Sequence, residues 1–328
     1  MVAIILVCHG GELELKAAFL IYSLRKNLRG NYNIYIGIPS ANRFISEPSP
    51  MFISFCIKNK VEIYNFENTY LKNSETIKEG DLVSNKIFAC CRSFEEEHIV
   101  FLDTDIVLLQ NLDVKSLVSG TVSIKLKPAN RANITQWTKI YHIVDLQMPV
   151  QRVVSSIDKL AMPPYFNSGV IVMNSQFSKK LIEDWQKYFY MLSEEKIYRP
   201  IKYPFFHRDQ ISLSLAICSC RMEYSILDEK FNYPVRGKKI NKNSPPYLVH
   251  YHNAYSVYFE RQLRKEFLEF KKQYPDFLEE AKSIWKDLFA ENFVIRTRVA
   301  FSEYIRFKKY KALQYFRTIA KRVFIRYI

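Results

Sequence analysis

Apolar residues in the first part of the chain fall into short runs separated by amphipathic stretches. Residues 2–8 form an apolar run that predicts a buried β-strand, and residues 12–28 carry apolar positions at helical spacing. Two further apolar runs, at 32–38 and 61–66, predict the next strands. Because a strand, a helix and a strand follow one another, we expect an α/β fold that opens with a parallel sheet.

Three later segments have a less regular pattern. Residues 40–60 contain two closely spaced prolines, and we expect no regular element there. Residues 82–94 predict a helix that leads into a buried strand at 99–102. Residues 128–164 mix polar and aromatic positions, which indicates a partly ordered insertion over a site.

The second half of the chain continues the alternation of strands and helices. The stretch FNSGVIVMN predicts a strand that begins with a turn at Asn167, Ser168 and Gly169. The other expected elements are a helix over 176–192 with Leu181, Trp185 and Phe189 on one face, a helix that begins in HRDQISLSLAI, and a strand over 247–251.

Composition narrows the class of protein. A chain of 328 residues with 48% hydrophobic content suits a globular protein with one large domain, here residues 1–260, and an appended helical region, residues 261–328. Six cysteines without a Cys-x-x-Cys pair argue against zinc and disulfide scaffolds and fit a reducing cytosol. The first apolar run is too short for a signal peptide, and no run approaches the roughly 18 apolar residues of a membrane span. We therefore expect a cytoplasmic protein.

The charge is concentrated near the C-terminal end. The net charge is +15, and residues 291–328 hold ten Lys or Arg against two Glu. Residues 293–328 keep apolar side chains at near-helical spacing, which predicts a basic amphipathic helix at an anionic membrane surface. The alternative is a helix that packs on the main domain or on a partner protein. Nucleic-acid binding is not expected, because these basic residues flank no recognisable nucleic-acid fold.

Two carboxylates that follow the strand at 99–102 carry the strongest chemical signal. Asp103 and Asp105 flank Thr104, and side chains this close repel each other unless a cation lies between them. Mg²⁺ and Mn²⁺ prefer oxygen ligands, and ligands of open α/β sheets bind beyond the carboxyl ends of the strands. The arrangement predicts a metal ion that bridges a diphosphate. The alternative is one aspartate that caps the next turn and one that is solvated.

Several blocks together resemble a known family of enzymes. They are the first strand with its loop, FLDTDIVLLQNLD, FNSGVIVMN, RDQISLSLAI and the weaker VHYHNAYSVY. Over residues 1–260 the chain resembles GT-A-fold glycosyltransferases, most closely family 8, which includes glycogenin and galactosyl- and glucosyltransferases of bacterial surface polysaccharides. The resemblance implies a Rossmann-like catalytic domain with a mixed sheet flanked by helices, followed by the basic helical extension.

The resemblance also implies a role for each matched residue. Mn²⁺ or Mg²⁺ would be bound by Asp103, Asp105 and His250, and Asp209 and Gln210 would act at the reacting sugar. The residues expected to bind the nucleotide sugar are Cys8, His9, Glu12, Lys86, Asp103, Thr104, Asn167 and Ser168. The implied reaction is metal-dependent transfer of a hexose from a UDP-sugar to a glycan or lipid-linked glycan. It belongs to surface polysaccharide or lipopolysaccharide biosynthesis, at the inner face of the cell membrane.

Each of these assignments has a plainer alternative. One of His250 and His252 is also consistent with a hydrogen-bonded strand histidine, Lys86 with a solvated helix residue, and Asp209 with a first-turn helix residue. The family usually ends the site with His-x-x-Gly-x-x-Lys-Pro-Trp. Here Asn253 stands at the glycine, Ser256 at the lysine and Tyr258 at the tryptophan. The candidates to replace the missing positive charge are Arg236, Lys238 or Lys239.

Two other function classes remain as alternatives. A nucleotidyltransferase of related α/β fold usually opens with a glycine-rich basic phosphate loop. Gly10 and Gly11 are followed here by Glu12 and Glu14, which argues against that class. A glycan-binding or scaffolding relative without turnover is the third class, and the missing lysine is compatible with it.

Overall fold

The structure of the protein is a computed structural model. It describes residues 1–42, 44–74, 77, 79–118, 121–126, 132–154, 161–194, 207–235, 240–253, 256–257, 260–276, 279 and 282. The expected amphipathic helix over 293–328 lies outside the described residues, as do Arg236, Lys238, Lys239 and Tyr258.

Strands and helices alternate along the chain. The strands are β1 (Val2–Val7), β2 (Leu28–Arg29), β3 (Tyr32–Pro39), β4 (Val61–Phe66), β5 (His98–Leu102), β6 (Ile106–Leu108), β7 (Leu112–Asp113), β8 (Val122–Leu126), β9 (Val153–Val154), β10 (Ala161–Met162), β11 (Phe166–Asn174), β12 (Tyr224–Ile226), β13 (Tyr233–Pro234) and β14 (Leu248–His250). The helices are α1 (Glu12–Asn27), α2 (Pro50–Lys58), α3 (Thr69–Lys72), α4 (Asn85–Ala89), α5 (Ile134–Ile143), α6 (Ser175–Ser193), α7 (Arg208–Ser219) and α8 (Arg261–Gln273).

A mixed sheet lies at the centre. Among the described residues it has seven strands in the order β12-β8-β11-β5-β1-β3-β4. β1 pairs in parallel with β3 and with β5, and β3 pairs in parallel with β4. β11 runs antiparallel to both β5 and β8. The predicted α/β fold with a mixed sheet is therefore confirmed, and the strand–helix–strand opening forms the parallel pair β1–β3.

The sheet separates two hydrophobic cores because strand side chains alternate between its faces. Ile4 and Leu6 of β1 belong to the core under α1, α2 and α8, whereas Ile5 belongs to the core under α4 to α7. Phe101 of β5 faces the second core, and its neighbour Leu102 faces the first. Both cores are apolar across the whole sheet, which explains why these strands are continuous hydrophobic runs.

The prediction of no regular element over 40–60 is wrong, because the segment contains α2. Ser49 caps this helix by accepting a hydrogen bond from the Phe52 amide at 3.2 Å, and Pro50 occupies the first turn. Proline is favoured there because the first amide of a helix has no partner to lose. The prolines begin the helix, and its buried Phe52 and Phe55 pack under the sheet.

The single helix predicted over 82–94 is also wrong. A 3₁₀ turn at Glu79–Ser84 is followed by α4, which ends at Ala89. The Ser84 hydroxyl donates to the Asp81 carbonyl at 2.7 Å, and the Asn68 amide donates to Ser84 at 2.8 Å. These side-chain bonds compete with the regular helical pattern and favour the tighter turn.

Residues 167–169 lie within β11 and not in a turn before it. The pairing with β8 shifts register between Asn167 and Ile171, and the Asn167 side chain accepts the Gly169 amide at 2.9 Å. The strand therefore carries a bulge at the position where the sequence predicted a turn. The expected insertion over 128–164 contains α5 and the β9–β10 pair, and residues 146–152 between them have no regular element.

The first helix after residue 260 shares the core of the sheet. Phe267 and Phe270 of α8 pack on Phe19 of α1, with ring centroids 5.3 and 5.6 Å apart. At the other end of this contact, the Lys26 ammonium bonds to Glu266 and Glu269 at 2.8 and 2.6 Å. These contacts hold α8 against α1 along several turns.

Candidate active site

A cleft opens at the carboxyl ends of β1 and β5. Its lining residues are Val7, His9, Leu13, Leu82, Val83, Asn85, Lys86, Phe101, Leu102, Asp103 and Thr104. Three segments supply them: the end of β1 with the loop into the first turn of α1, the 3₁₀ turn with the start of α4, and the end of β5 with the two residues that follow it. This is the edge at which open α/β sheets bind ligands.

A buried lysine joins three of the predicted site residues. The Lys86 ammonium lies 2.8 Å from an Asp103 oxygen and 3.3 Å from an Asp209 oxygen. It also donates to the Ser168 hydroxyl at 3.1 Å, and that hydroxyl donates to Asp209. The helix of Lys86, the strand of Ser168 and the first turn of α7 thus meet at one cation.

The charges in this cluster are strongly coupled. Burial opposes the positive charge of Lys86, but Asp103 and Asp209 outweigh it and raise the pKa of the ammonium group. Burial likewise opposes the charge of Asp209, but Lys86 and the Ser168 hydroxyl lower its pKa. Burial raises the pKa of Asp103 despite Lys86, and repulsion from Asp105 adds to the rise. Lys86 therefore pairs with both carboxylates, and of the two the charge of Asp209 is the more favoured.

The second aspartate faces two histidines. An Asp105 oxygen lies 2.9 Å from His250 Nε2, and the rings of His250 and His252 are 3.9 Å apart between centroids. One ligand atom from each of these three residues lies within 4.8 Å of the others. Burial opposes the charge of Asp105, but His250 outweighs it and lowers the pKa of the carboxyl group. We call these three residues the Asp105 cluster.

A small sheet holds the Asp105 cluster together. β14 pairs antiparallel with β6 so that His250 lies opposite Ile106, and the Tyr251 amide donates to the Asp105 carbonyl at 3.0 Å. His252 follows in a left-handed conformation with φ 60°, which turns the chain after the strand. The two histidines and the aspartate therefore come from adjacent strand ends.

The donor atoms of the Asp105 cluster fit a divalent metal ion. A carboxylate offers the oxygen ligand that Mn²⁺ and Mg²⁺ prefer, and two imidazole nitrogens favour a transition-metal ion over Mg²⁺. Two residues predicted to bind the metal, Asp105 and His250, are in the cluster, and His252 joins them. The third, Asp103, contacts Lys86.

The residues predicted near the base and ribose lie in different environments. The Cys8 thiol is fully buried in the core, where burial raises its pKa. His9 lines the cleft with its Nδ1 3.0 Å from the Gly10 carbonyl oxygen. Glu12 pairs with Lys16 at 2.7 Å on α1, and its side chain is 52% exposed. Thr104 lines the cleft beside Asp103.

Gln210 follows Asp209 in the first turn of α7. Its side-chain oxygen is buried and has no hydrogen-bond partner among the described residues. A buried acceptor that stays unpaired costs on the order of 1–3 kcal/mol. A hydroxyl group of a bound ligand would satisfy this oxygen.

Sequence reasoning missed two residues that support the site. The Arg208 guanidinium is buried and donates to Asp81, to the Ser193 hydroxyl at 2.8 Å and to the Tyr70 hydroxyl at 3.1 Å. It thereby fixes the start of α7 next to Asp209. Asn232 bonds to His250, and no signal in the sequence marks it, because Asn before Tyr-Pro is typical of a turn.

The departure from the family pattern has a local structural role. The Asn253 side chain accepts hydrogen bonds from the Ser256 amide at 3.0 Å and from the Ser256 hydroxyl at 3.2 Å. At the positions of the family's glycine and lysine, these two residues therefore form a capped turn.

A mixed α/β sheet with a cleft at the carboxyl ends of its parallel strands is consistent with a Rossmann-like glycosyltransferase fold. Comparison with protein families matches residues 4–221, about two thirds of the chain, to the Rhodobacterales glycosyltransferase domain. The chain belongs to that family. The matched range contains the cleft, Lys86, Asp103, Asp105 and Asp209, and it ends before the two histidines.

Two further findings complete the description. No curated protein matches the chain. Among the described residues, no helix is both long enough and apolar enough to cross a bilayer.

Proposed function

We propose that the protein is a metal-dependent glycosyltransferase of the GT-A type, similar to family 8. It transfers a hexose from a UDP-sugar to a glycan or lipid-linked glycan in surface polysaccharide or lipopolysaccharide biosynthesis. The observation that carries the proposal is the Asp105 cluster, in which a carboxylate and two imidazoles converge near the cleft. A diphosphate leaving group needs such a cation site, because its charge grows as the bond to the sugar breaks.

Asp105, His250 and His252 would hold the ion. When bound, Mn²⁺ or Mg²⁺ supplies Lewis-acid stabilisation of the departing nucleoside diphosphate. Asp103 has a separate role in this proposal, because its carboxylate is paired with Lys86. It positions the lysine at the wall of the cleft.

The cleft offers complementary surfaces for the donor. Val7, Leu13 and Phe101 provide apolar walls, and His9 and Thr104 provide polar groups at the edges. Binding sites for small molecules commonly combine apolar walls with a few placed polar groups. The base and ribose would lie against these walls.

The sugar would lie toward Asp209. This carboxylate is buried and ionised beside Lys86, so it accepts hydrogen bonds from donor hydroxyls and stabilises positive charge at the anomeric carbon. The Gln210 oxygen, which has no partner in the part of the chain that the structure describes, would accept a second hydroxyl. Ser168 and Asn167 lie next to this group on β11.

Calorimetry with UDP in the presence and absence of Mn²⁺ tests the proposal. Wild-type protein is expected to bind UDP more tightly with Mn²⁺, and Asp105→Asn is expected to lose the gain. A matched control is Glu62→Gln, which removes a half-exposed carboxylate that pairs with Arg92 on the rim of the sheet. UDP affinity that does not respond to metal in the wild type would contradict the proposal and favour the scaffolding class.

Product analysis separates the enzyme classes. Incubation with a panel of UDP-sugars and Mn²⁺ is expected to release UDP, by transfer or by slow donor hydrolysis. Release of pyrophosphate instead would identify a nucleotidyltransferase.

A further inference from the structure

A chain of hydrogen bonds connects the backbone of β11 to His250. The Gly169 amide donates to Asn167 Oδ1 at 2.9 Å. Since a backbone N–H only donates, this contact identifies the oxygen of the Asn167 side chain. Asn232 Nδ2 donates to the same oxygen at 2.7 Å, so the other terminal atom of Asn232 is its oxygen.

That oxygen determines where His250 carries its proton. Asn232 Oδ1 lies 2.9 Å from His250 Nδ1, and an amide oxygen only accepts hydrogen bonds. His250 Nδ1 must therefore carry hydrogen. In a neutral imidazole the other nitrogen, Nε2, then presents a lone pair.

The lone pair of His250 faces a second acceptor. Nε2 lies 2.9 Å from Asp105 Oδ1, and an ionised carboxylate has no hydrogen to offer. Two acceptors at this separation need a cation or an extra proton between them. The hydrogen-bond chain therefore leaves His250 Nε2 and Asp105 Oδ1 as two acceptors that can bind one cation between them.

Burial, a hydrogen bond and the backbone conformation together fix the position of Asn232. The residue is 3% exposed, and its carbonyl accepts a hydrogen bond from the Lys125 ammonium at 2.9 Å. Its φ of 60° is a left-handed conformation that asparagine tolerates better than most residues. The fold therefore keeps an asparagine at a backbone position that aims its amide between β11 and β14.

Gly169 leaves the space that the ring needs. A Cβ atom at this position would lie 2.9 Å from His250 Cε1 and 3.0 Å from His250 Nδ1. Such contacts would displace the ring from Asn232. The same glycine supplies the amide that begins the hydrogen-bond chain.

We infer that Asn232 is a positioning residue that holds His250 in its Nδ1–H form, so that Nε2 and Asp105 together bind a divalent cation. This inference rests on the proposed metal-dependent function and deepens it. Hydrogen bonds of this kind behind a metal-binding histidine typically change metal affinity by about 10- to 100-fold.

Mn²⁺ affinity, measured by electron paramagnetic resonance, tests the role. Asn232→Gly keeps the left-handed backbone but removes the acceptor, and it is expected to weaken Mn²⁺ binding by roughly 10- to 100-fold. Asn232→Asp keeps an acceptor for the Nδ1 hydrogen but loses the donor to Asn167 Oδ1, so it is expected to rescue only part of that loss. The matched control is Asp145→Gly, which changes another left-handed residue, at φ 52° and exposed after α5, and should leave the affinity unchanged.

Nitrogen-15 NMR of the wild-type protein gives a readout that does not depend on any variant. With Zn²⁺ as a diamagnetic probe, His250 is expected to show a protonated Nδ1 and a metal-bound Nε2. A metal-bound Nδ1 would overturn the inference. The inference would also be overturned if Asn232→Gly binds Mn²⁺ as tightly as the wild type, whereas His250→Ala no longer binds Mn²⁺.

Failure of the proposed function looks different from these outcomes. If the wild type does not bind Mn²⁺, or if Asp105→Asn binds it as tightly as the wild type, the metal-dependent function itself is wrong. The inference is then wrong as well. If the wild type binds Mn²⁺ through Asp105 and Asn232→Gly has the same Mn²⁺ affinity, only the inference is wrong.

Discussion

Lys86 is the residue on which the polar side of the cleft depends. Its one positive charge is buried between Asp103 and Asp209, and its side chain is 12% exposed. Removing one partner of a buried ion pair is costly, because it leaves the remaining charge unpaired in a poorly solvated place. The lysine is therefore required by the fold as well as by the proposed chemistry.

We predict that Lys86→Met lowers the free energy of unfolding by about 3–5 kcal/mol at neutral pH. Urea unfolding measures this loss. The matched control, Lys72→Met, removes a lysine that pairs with Glu67 at the surface and should cost less than about 1 kcal/mol. Equal losses in both variants would contradict the buried-pair account.

The loss in the free energy of unfolding caused by Lys86→Met should also depend on pH. The pKa of Asp209 is lowered in the fold, so its pairing stabilises above the unfolded carboxyl pKa of about 4 and is lost as pH falls through the folded value. The pKa of Lys86 is raised, so its contribution persists up to at least about pH 10. The difference between wild type and Lys86→Met is therefore expected to shrink in acid.

Asp103 and Asp105 should respond differently to the same substitution. Asp105→Asn removes a proposed metal ligand and is expected to weaken Mn²⁺ binding by at least about 10- to 100-fold. Asp103→Asn removes the partner of Lys86 and is expected to change Mn²⁺ affinity only a few-fold, while it impairs donor turnover. Electron paramagnetic resonance measures the first effect and UDP release the second. Equal losses of Mn²⁺ affinity would mean that both carboxylates hold the ion.

At the scale of elements, α1 connects the cleft to the Asp105 cluster. The Ser23 hydroxyl accepts the Leu108 amide at 3.0 Å, and the ring of Phe19 lies 6.3 Å from that of Tyr251. One turn nearer the cleft on the same face is Lys16, whose charge helps to lower the pKa of Asp105 after the larger effect of His250. Lys16 thus provides positive charge near the proposed diphosphate site.

We predict that Lys16→Ala weakens UDP binding in the presence of Mn²⁺ by about tenfold, which corresponds to one charged hydrogen bond. Calorimetry measures the change, and Lys16→Arg should restore most of it. Lys26→Ala is the matched control, because Lys26 lies at the other end of α1 and bonds to Glu266. An unchanged UDP affinity in Lys16→Ala would exclude this lysine from the site.

The cap of α2 gives a test of a helix that the sequence pattern missed. Ser49→Ala removes the hydroxyl that caps the helix and that donates to Glu14 at 2.6 Å. We expect a loss of about 1–2 kcal/mol in the free energy of unfolding, measured with urea. Ser54→Ala, on the exposed side of the same helix, should be nearly neutral.

The strands were predictable because burial on both faces leaves a direct mark on the sequence. The apolar runs at 2–8, 32–38 and 99–102 became β1, β3 and β5 with nearly the predicted bounds. α2 was not predictable from proline content, because the same residue type ends a helix in its middle and favours its first turn.

Contacts between distant segments explain which parts of the site could be predicted. Asp105 and His250 come together because β6 pairs with β14. The resemblance implied that the two residues share a metal ion, but it did not predict this strand pairing. The bonds from Arg208 to Asp81 and from Asn232 to Asn167 span 127 and 65 residues. No local pattern marks such partners, since each depends on how the elements finally pack.

At the scale of the whole molecule, positive charge is concentrated near the C-terminal end of the sequence. Residues 291–328 hold ten Lys or Arg against two Glu. In the proposed function this segment holds the protein at the anionic inner face of the membrane, near a lipid-linked acceptor. Each basic residue near such a surface contributes about 1 kcal/mol, and salt weakens the attraction.

We predict that the triple variant Lys308→Gln, Lys309→Gln, Lys311→Gln binds vesicles with anionic lipid more weakly than the wild type. The expected loss is roughly hundredfold, about 3 kcal/mol in all. Co-sedimentation at low salt measures the change. The control replaces three exposed lysines elsewhere, Lys72, Lys179 and Lys187, with Gln. Wild-type protein that stays in the supernatant, or equal losses in both variants, would contradict the membrane role.

The small sheet of β13, β14 and β6 stands apart from the central sheet that carries Ser168. Its short strands bring both imidazoles to Asp105, whereas the residues proposed to bind the sugar belong to β11 and α7. The two sites are nevertheless joined by β11, because Asn167 bonds to Asn232 behind His250 and a Cβ atom at Gly169 would displace the His250 ring. In the proposed function, relatives that change the hexose through α7 would keep the ion site intact, whereas substitutions at Asn167 or Gly169 would alter both sites at once.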